Sequence, residues 1–428
     1  MNKVAVIGAG RIGELIATLL VTSGDYDVAL FDSCESQLSR VRDHRGLSKF
    51  RLDVADAAAL AAAVDGHHVV VNSAPFHLTE SIAQAAAKAS AHYIDLTEDV
   101  GSTLAVGTLA ANGKSTFIPQ CGLAPGFVSI LAADTARGFD DLDTVKLKVG
   151  ALPRYPCNAL SYNLTWSPEG VVNQYCNPCT VIFDGQLMQA PPLEQLETLV
   201  IDGVQYESFN TSGGLGSLAT TWNGKVRNLS YQSIRYPGHA AIMRALLRDL
   251  GLSNRRQLLL EMFAHALPVT DQDVVVIFVE VTGRRGGRLE QATYANKIHG
   301  QEFAGRDYTA IQLCTASSAC AVLDLLADGS IGGPGLVRQE DIRLSDFLAN
   351  RFGRIFKRAP ETPTVRVGDH APSSMKAPPD PLYAASTAGL GTPTAWQRRV
   401  KDWRGLPRRL IALRPGAPDS LSNPDVHQ

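Results

Sequence analysis

Residues 3–32, KVAVIGAGRIGELIATLLVTSGDYDVALFD, decide the fold. KVAVIG (3–8) is short and almost wholly apolar, the pattern of a parallel strand covered on both faces. RIGELIATLLVTSG (11–24) carries Ile12, Leu15, Ile16, Leu19 and Leu20 at helical spacing and closes on Gly24, a C-cap residue. DVALF (27–31) reads as the next strand and runs into Asp32. Between the first strand and the helix stands Gly8-Ala9-Gly10-Arg11-Ile12-Gly13. A lone GxGxxG carries little weight. Here a strand precedes it, a helix follows it, and an acidic residue lies 22 positions after Gly10.

Each part of that arrangement has a physical purpose in binding a dinucleotide. Gly8 permits the tight turn, Gly10 lets the backbone approach a pyrophosphate, and Gly13 lets helix pack closely on strand. The helix start offers unpaired N–H groups to the anion, with Arg11 and Ile12 in its first turn. Asp32 accepts hydrogen bonds from ribose hydroxyls and repels a 2′-phosphate, which favours NAD over NADP. A glycine turn in an α/β core without ligand is the plainer reading of the same residues.

Outward from this stretch the alternation continues. FRLDV (50–54) reads as a third strand with Asp53 and Val54 beside the adenine pocket, and HVVVNSAP (68–75) as a fourth. The end of the fourth, Ser73, Ala74 and Pro75, falls where strand order reverses and cofactors bind. A helix over 78–91, HYIDL (92–96), a helix near 103–111 and STFIP (115–119) complete the pattern. The polar residues at strand ends are Ser73, Asp95, Thr97, Glu98 and, in the loop QCGLAPG (120–126), Cys121. His77 reads as a solvated loop histidine.

Beyond Gly126 the alternation stops. A helix (127–138), TVKLKVGAL (144–152), CTVIF (179–183), QYESFNT (205–211) and the pair VVVIFVEVTG (274–283) and LEQATYANKI (289–298) joined by RRGGR suggest an α+β domain. Helices are expected at 238–250, 255–263 and 307–329. From about 359 Pro, Gly, Ser and Arg dominate, as in a disordered tail. The expected architecture is α/β: a Rossmann doubly wound parallel sheet (1–125) interrupted by an α+β substrate and dimerisation domain (126–305), with helices returning to the first domain over 306–358.

At 428 residues the chain suffices for two domains, and a formal charge of −2 makes no electrostatic case for nucleic acid or anionic membrane. No uninterrupted apolar stretch reaches the roughly 20 residues of a membrane span. The opening MNKVAVIGAG lacks a signal peptide's cleavage region, and seven scattered cysteines do not form a disulfide framework, so a cytoplasmic protein is expected. Cys176 and Cys179 have CxxC spacing without a second pair at metal-site distance, so no metal is expected. SYNLTWSPEG (161–170) serves equally as strand and turn or as a substrate wall containing Tyr162. In SIRYPGHAAIMRALL (233–247) Arg235 and His239 flank a helix start, where Arg235 either forks a carboxylate or pairs with a neighbouring acid.

VIGAGRIG, YIDLTED, CGLAPG, VGALP, LTWSPEG and RYPGH, in this order, resemble the saccharopine dehydrogenase-like family over residues 1–350. The resemblance implies the interrupted Rossmann fold, a homo-oligomer, and NAD(P)-linked chemistry on the C–N bond of an amino-acid substrate. Saccharopine reductases of the family read Gly-Leu-Asp-Pro-Gly at the loop, with the Asp a proposed acid/base residue; here that position is Ala124. GLAPG, VGALP (149–153) and LTWSPE (164–169) are similar to the lysine 6-dehydrogenase-like members, which implies NAD-dependent oxidative deamination of L-lysine, or a similar diamino acid, at its terminal amine. Such a reaction needs a base to strip the ammonium, for which Glu98, Asp95 and His239 are candidates. Arg235 would hold the α-carboxylate, and Tyr162, Thr211, Ser212 and Cys121 are further pocket candidates. A reductase that joins aldehyde to amine, and a non-catalytic NAD-binding subunit, are the alternatives.

Overall fold

Six parallel strands form most of the first sheet: β1 (Asn2–Ile7), β2 (Tyr26–Asp32), β3 (Leu47–Arg51), β4 (Val69–Asn72), β5 (His92–Asp95) and β6 (Thr116–Ile118), in the spatial order β6-β5-β4-β1-β2-β3. Ile7 at the end of β1 pairs with Phe31 on one side and Asn72 on the other. Strand order therefore reverses about β1, and the crevice where doubly wound sheets bind ligands opens between the ends of β1 and β4. The computed structural model describes residues 2–111 and 113–358; the proline-rich segment from 359 lies outside the described residues.

The second sheet is mixed. It contains β7 (Asp141–Pro153), β8 (Cys179–Phe183), β9 (Gln186–Ala190), β10 (Glu197–Ile201), β11 (Val204–Asn210), β12 (Val226–Arg235), β13 (Asp273–Arg285) and β14 (Arg288–His299). Its main path runs β10-β11-β12-β7-β13-β14, with β8 on β12 and β9 on β8. The β13–β14 hairpin turns at Gly286 and Gly287, both at positive φ, which the tight primed turns demand.

Several boundaries differ from the sequence expectation, each for a local reason. The third strand ends at Arg51, so Asp53 and Val54 lie in the loop after it. Residues 168–176 form a helix, because the Ser167 hydroxyl accepts from the Gly170 N–H and Pro168 suits the first turn. β12 was not expected at all: its alternation VRNLSYQSIR is mostly polar, yet it is buried between β11 and β7. The long helix begins at Ala310 rather than 307. Residues Arg306–Tyr308 pair instead as β16 with β15 (Gln301–Phe303), and Thr309 then caps the helix through a capping box with Gln312.

That helix, Ala310–Ala327, is long and apolar enough to cross a membrane by length and composition, contrary to the sequence reading, but 78% of it is buried inside the protein. It packs along the helix Arg11–Ser23, and Tyr26 donates to Asp324 at 2.6 Å across the contact. Strand β17 (Gly335–Leu336) then joins β6 in parallel and completes a seven-stranded sheet. One apolar cluster runs from Val4, Leu15 and Leu20 through Leu313 and Cys320 to Val275, Ile277 and Val279, so the two sheets share a core through the returning helix.

Candidate functional site

A cleft of about 1430 Å³ lies between the strand ends of the first sheet and the second sheet. On the first-sheet side its lining includes Gly8, Gly10, Arg11, Ile12, Asp32, Asp53, Val54, Ser73, Ala74 and Pro75, which is every expected cofactor residue except Gly13. Gly13 sits behind them. A Cβ there would fall 1.9 Å from the Gly8 carbonyl oxygen and 2.4 Å from Ser73 Oγ, and a Cβ at Gly8 would fall 2.9 Å from the Ser73 backbone. A Cβ on Gly10, by contrast, would meet no atom within 4 Å. Two glycines are thus required by the protein's own packing, while Gly10 leaves room for a group the protein does not supply.

The rest of that wall is held to match. Ser73 Oγ lies 3.0 Å and 2.9 Å from the carbonyls of Ile7 and Gly8, tying the end of β4 to the glycine turn. Asp32 accepts from the Ala9 and Cys34 N–H groups at 2.7 Å and 2.8 Å, which fixes its carboxylate at the tip of β2. Asp53 joins it, and among the described residues the only Lys or Arg side chains lining the cleft are Arg11 and Arg235. Arg11 makes an exposed 3.5 Å ion pair with Asp271.

The loop after β5 sorts its three carboxylates by task. Asp95 is fully buried behind the cleft: its Oδ1 accepts from Gln120 and Thr97 N–H groups at 2.9 Å and 3.1 Å, and burial pushes its carboxyl up to about 6. Asp99 caps the helix Val100–Ala111 by accepting from the Ser102 N–H at 2.7 Å. Glu98 has neither duty. It lines the cleft, its one hydrogen bond among the described residues comes from Gln174 Nε2 at 3.4 Å, and enclosure away from bulk water pushes its carboxyl up to about 8.

Two glycines missed in the sequence reading make that placement possible. A Cβ at Gly213, at φ +94°, would meet the Glu98 backbone at 3.3 Å, and one at Gly214 would fall 2.3 Å from the Tyr231 ring. The doublet in NTSGG (210–214) was the available signal. Tyr231 lines the cleft with Glu98 and Arg235, and burial pushes its hydroxyl above the usual phenol range. Gln174, on the helix whose cap the sequence reading missed, could not have been found from periodicity alone.

Arg235, at the end of β12, lines the cleft although only 3% exposed. Its Nε donates to Tyr175 Oη at 2.8 Å and its Nη1 to the Ile234 carbonyl at 2.8 Å. Among the described residues no acid lies within ion-pair distance of it. Glu207, its register partner on β11, accepts instead from the Gly238 and Ala240 N–H groups at 2.9 Å and 2.6 Å. A buried guanidinium without a counterion, with N–H groups to spare at a cleft, has the chemistry to receive an anion.

The other expected residues are placed differently. Ser212 lines the cleft, with its hydroxyl donating to the Pro178 carbonyl at 2.9 Å. Thr211 lies behind it, bonded to Ser233 Oγ at 2.8 Å. Tyr162 is buried beneath Arg235, whose guanidinium stands 5.0 Å from its ring centre. Cys121 faces away from the cleft, its thiol 3.1 Å from the Ile118 carbonyl and 3.2 Å from Gln339 Nε2, and burial pushes it well above the usual thiol range. His239 is 1% exposed and outside the lining, with both ring nitrogens engaged and its pKa pushed down to about 3 by burial and by Arg235. It has no proton-accepting lone pair to offer a substrate. Ala124 does line the cleft, in a loop wound so tightly that a Cβ on Gly126 would fall 1.8 Å from the Gly122 carbonyl. Cys176 and Cys179 stand at a helix end and a strand start, and no group of three or more His, Cys, Asp or Glu that could hold a metal occurs among the described residues.

A Rossmann sheet and a mixed second sheet, meeting across a cleft with a dinucleotide-type turn on one wall and a buried, unpaired arginine on the other, define a two-domain nucleotide-binding protein. Residues 4–115 match the saccharopine dehydrogenase NADP binding domain and residues 122–354 the saccharopine dehydrogenase C-terminal domain. The chain belongs to the saccharopine dehydrogenase family. It is similar to the mitochondrial alpha-aminoadipic semialdehyde synthase of Bos taurus, at 22% identity over 59% of this chain and 29% of that protein. It is also similar to the saccharopine dehydrogenase [NADP(+), L-glutamate-forming] of Pyricularia oryzae, at 21% identity over 60% of this chain and 59% of that protein. The chain thus spans less than two thirds of either relative. The solved structure of apo saccharopine dehydrogenase (L-Glu forming) from Saccharomyces cerevisiae superposes with a TM-score of 0.67 at 16% identity, over 82% of this chain and 97% of that one, which shows a shared fold.

Proposed function

We propose that this chain is an oxidoreductase acting on the C–N bond of an amino acid, with NAD as its carrier, and that it deaminates L-lysine or a similar diamino acid oxidatively at the terminal amine. The observation that carries the reading is that an uncommitted carboxylate, Glu98, and an uncompensated guanidinium, Arg235, line one and the same cleft. The glycine turn, with open space at Gly10, fits a pyrophosphate, and Asp32 fits the ribose hydroxyls beside it. A 2′-phosphate would meet Asp32 and Asp53 without a cation assigned to it, which supports NAD although the matched domain and the Pyricularia relative carry NADP in their names.

A nicotinamide held on this wall would supply the hydride acceptor. The protein's part is to prepare the donor carbon. Arg235 holds the substrate carboxylate with its spare N–H groups. Glu98 takes a proton from the terminal ammonium, since only the neutral amine can release hydride from its carbon. The resulting substrate imine hydrolyses to the semialdehyde and ammonia, and the semialdehyde cyclises.

The relatives' names favour a second reading, in which the same cleft joins or cleaves an amine and a keto or aldehyde partner. Ala124 counts against it, because the acid that saccharopine reductases carry at that position is absent. Steady-state rates on a panel of amino acids and on saccharopine, with NAD and NADP side by side, test the proposal. The expected result is turnover of a diamino acid with NAD at least tenfold faster than with NADP. Turnover confined to saccharopine would replace it with the second reading.

A further inference from the structure

His239 sits two groups behind Arg235 in a buried chain of hydrogen bonds whose proton positions are all determined. Its Nδ1 lies 2.9 Å from the Leu160 carbonyl oxygen, its Nε2 lies 2.9 Å from Tyr175 Oη, and Tyr175 Oη lies 2.8 Å from Arg235 Nε. A carbonyl only accepts and a guanidinium N–H only donates. The Leu160 oxygen therefore requires a hydrogen on Nδ1, and Arg235 requires a lone pair on the Tyr175 oxygen. In a neutral imidazole Nε2 is then bare and takes the Tyr175 hydroxyl proton. Each of the three links joins one donor to one acceptor, and none can reverse without breaking a bond to a group that cannot turn.

The surroundings reinforce this single arrangement. The His239 ring stacks on Phe209 with 6° between planes, and edges contact the rings of Tyr162 and Tyr175. Arg235 lies over the Tyr162 ring at 5.0 Å and the Tyr175 ring at 5.7 Å. The guanidinium thus stands against both rings, its Nε is held by Tyr175, and Nη1 is held by the Ile234 carbonyl. Among the described residues Nη2 makes no hydrogen bond.

We propose that His239 and Tyr175 are positioning residues that lock the rotation of the Arg235 guanidinium, so that its remaining N–H groups present a preset fork to the substrate carboxylate. The proposal rests on the carboxylate role given to Arg235 above. An unanchored arginine would have to lose its rotamer freedom on binding; this one has lost it already, and preorganisation of that kind is worth affinity without adding a contact.

Calorimetric titration with L-norleucine tests this, because norleucine offers the carboxylate but no terminal amine. Pentylamine, which lacks the carboxylate, is the control. Tyr175→Phe, which removes the hydrogen bond to the charged guanidinium, is expected to weaken norleucine binding about ten- to hundredfold, and His239→Phe, which removes the neutral bond behind it, about three- to tenfold, both leaving pentylamine unchanged. Arg235→Ala should weaken norleucine at least as much, and adding His239→Phe to it should cost nothing further. Should His239→Phe unfold the chain, Tyr175→Phe, which deletes a single hydroxyl, decides alone. Norleucine affinity lost in Arg235→Ala but kept in both phenylalanine variants would overturn the positioning role and leave the carboxylate reading standing. Affinity kept in Arg235→Ala, or absent from the unaltered chain, would overturn the carboxylate reading itself.

Discussion

Glu98, the proposed base, is left available by what its neighbours already do. Asp95 is spent on backbone N–H groups and Asp99 on a helix start, so of the two YIDLTED carboxylates that line the cleft only Glu98 is free of a backbone duty. Desolvation raises its carboxyl to about 8, which has a definite sign in the kinetics. The base must be ionised, and roughly a tenth of it is at pH 7. kcat/KM should therefore climb as pH rises through about 8 and level off above it. Glu98→Gln should lower kcat/KM by about a hundred- to ten-thousandfold and flatten that limb. An unchanged profile in the variant would remove Glu98 from the mechanism. The sequence showed the three acids but not their division of labour, since which carboxylate meets which N–H depends on the loop's path.

At the level of elements, the turn GAGRIG was fully legible. Its glycines divide, as the close approach of strands and helix requires, into two that the fold needs and one that it does not. Gly10→Ala should keep the folded chain's stability within about 0.5 kcal/mol, because its φ of −65° suits alanine and nothing blocks the methyl, yet it should weaken NAD binding at least tenfold. Thermal unfolding and nucleotide titration separate the two effects. Gly13→Ala should fail on stability instead. The second sheet was only half legible: β12 carries too many polar residues to announce itself, and its burial is decided by partners distant in sequence. The same holds for the start of the returning helix, where Asp273 on β13 accepts from the Ala310 and Ile311 N–H groups at 2.5 Å and 3.0 Å. Asp273→Ala should cost about 2 kcal/mol in urea unfolding. A loss under 0.5 kcal/mol would mean the helix start is held without it.

At the scale of the whole molecule, the helix Ala310–Ala327 joins the two sheets into one core, and its N-terminal residues Ile311, Gln312 and Thr315 line the cleft itself. The two walls of the cleft are thereby fixed on one scaffold. The loop QCGLAPG lies at their seam, with Ala124 exposed to the cleft where an acid would assist reductive coupling. Deamination and coupling differ in what leaves the substrate, so the decisive measurement is the ratio of ammonia released to NADH formed when the full chain is given L-lysine and NAD. The account predicts one ammonia per NADH, with no added keto or aldehyde partner required. NADH without ammonia, or neither product from a chain shown to bind NAD, would contradict it.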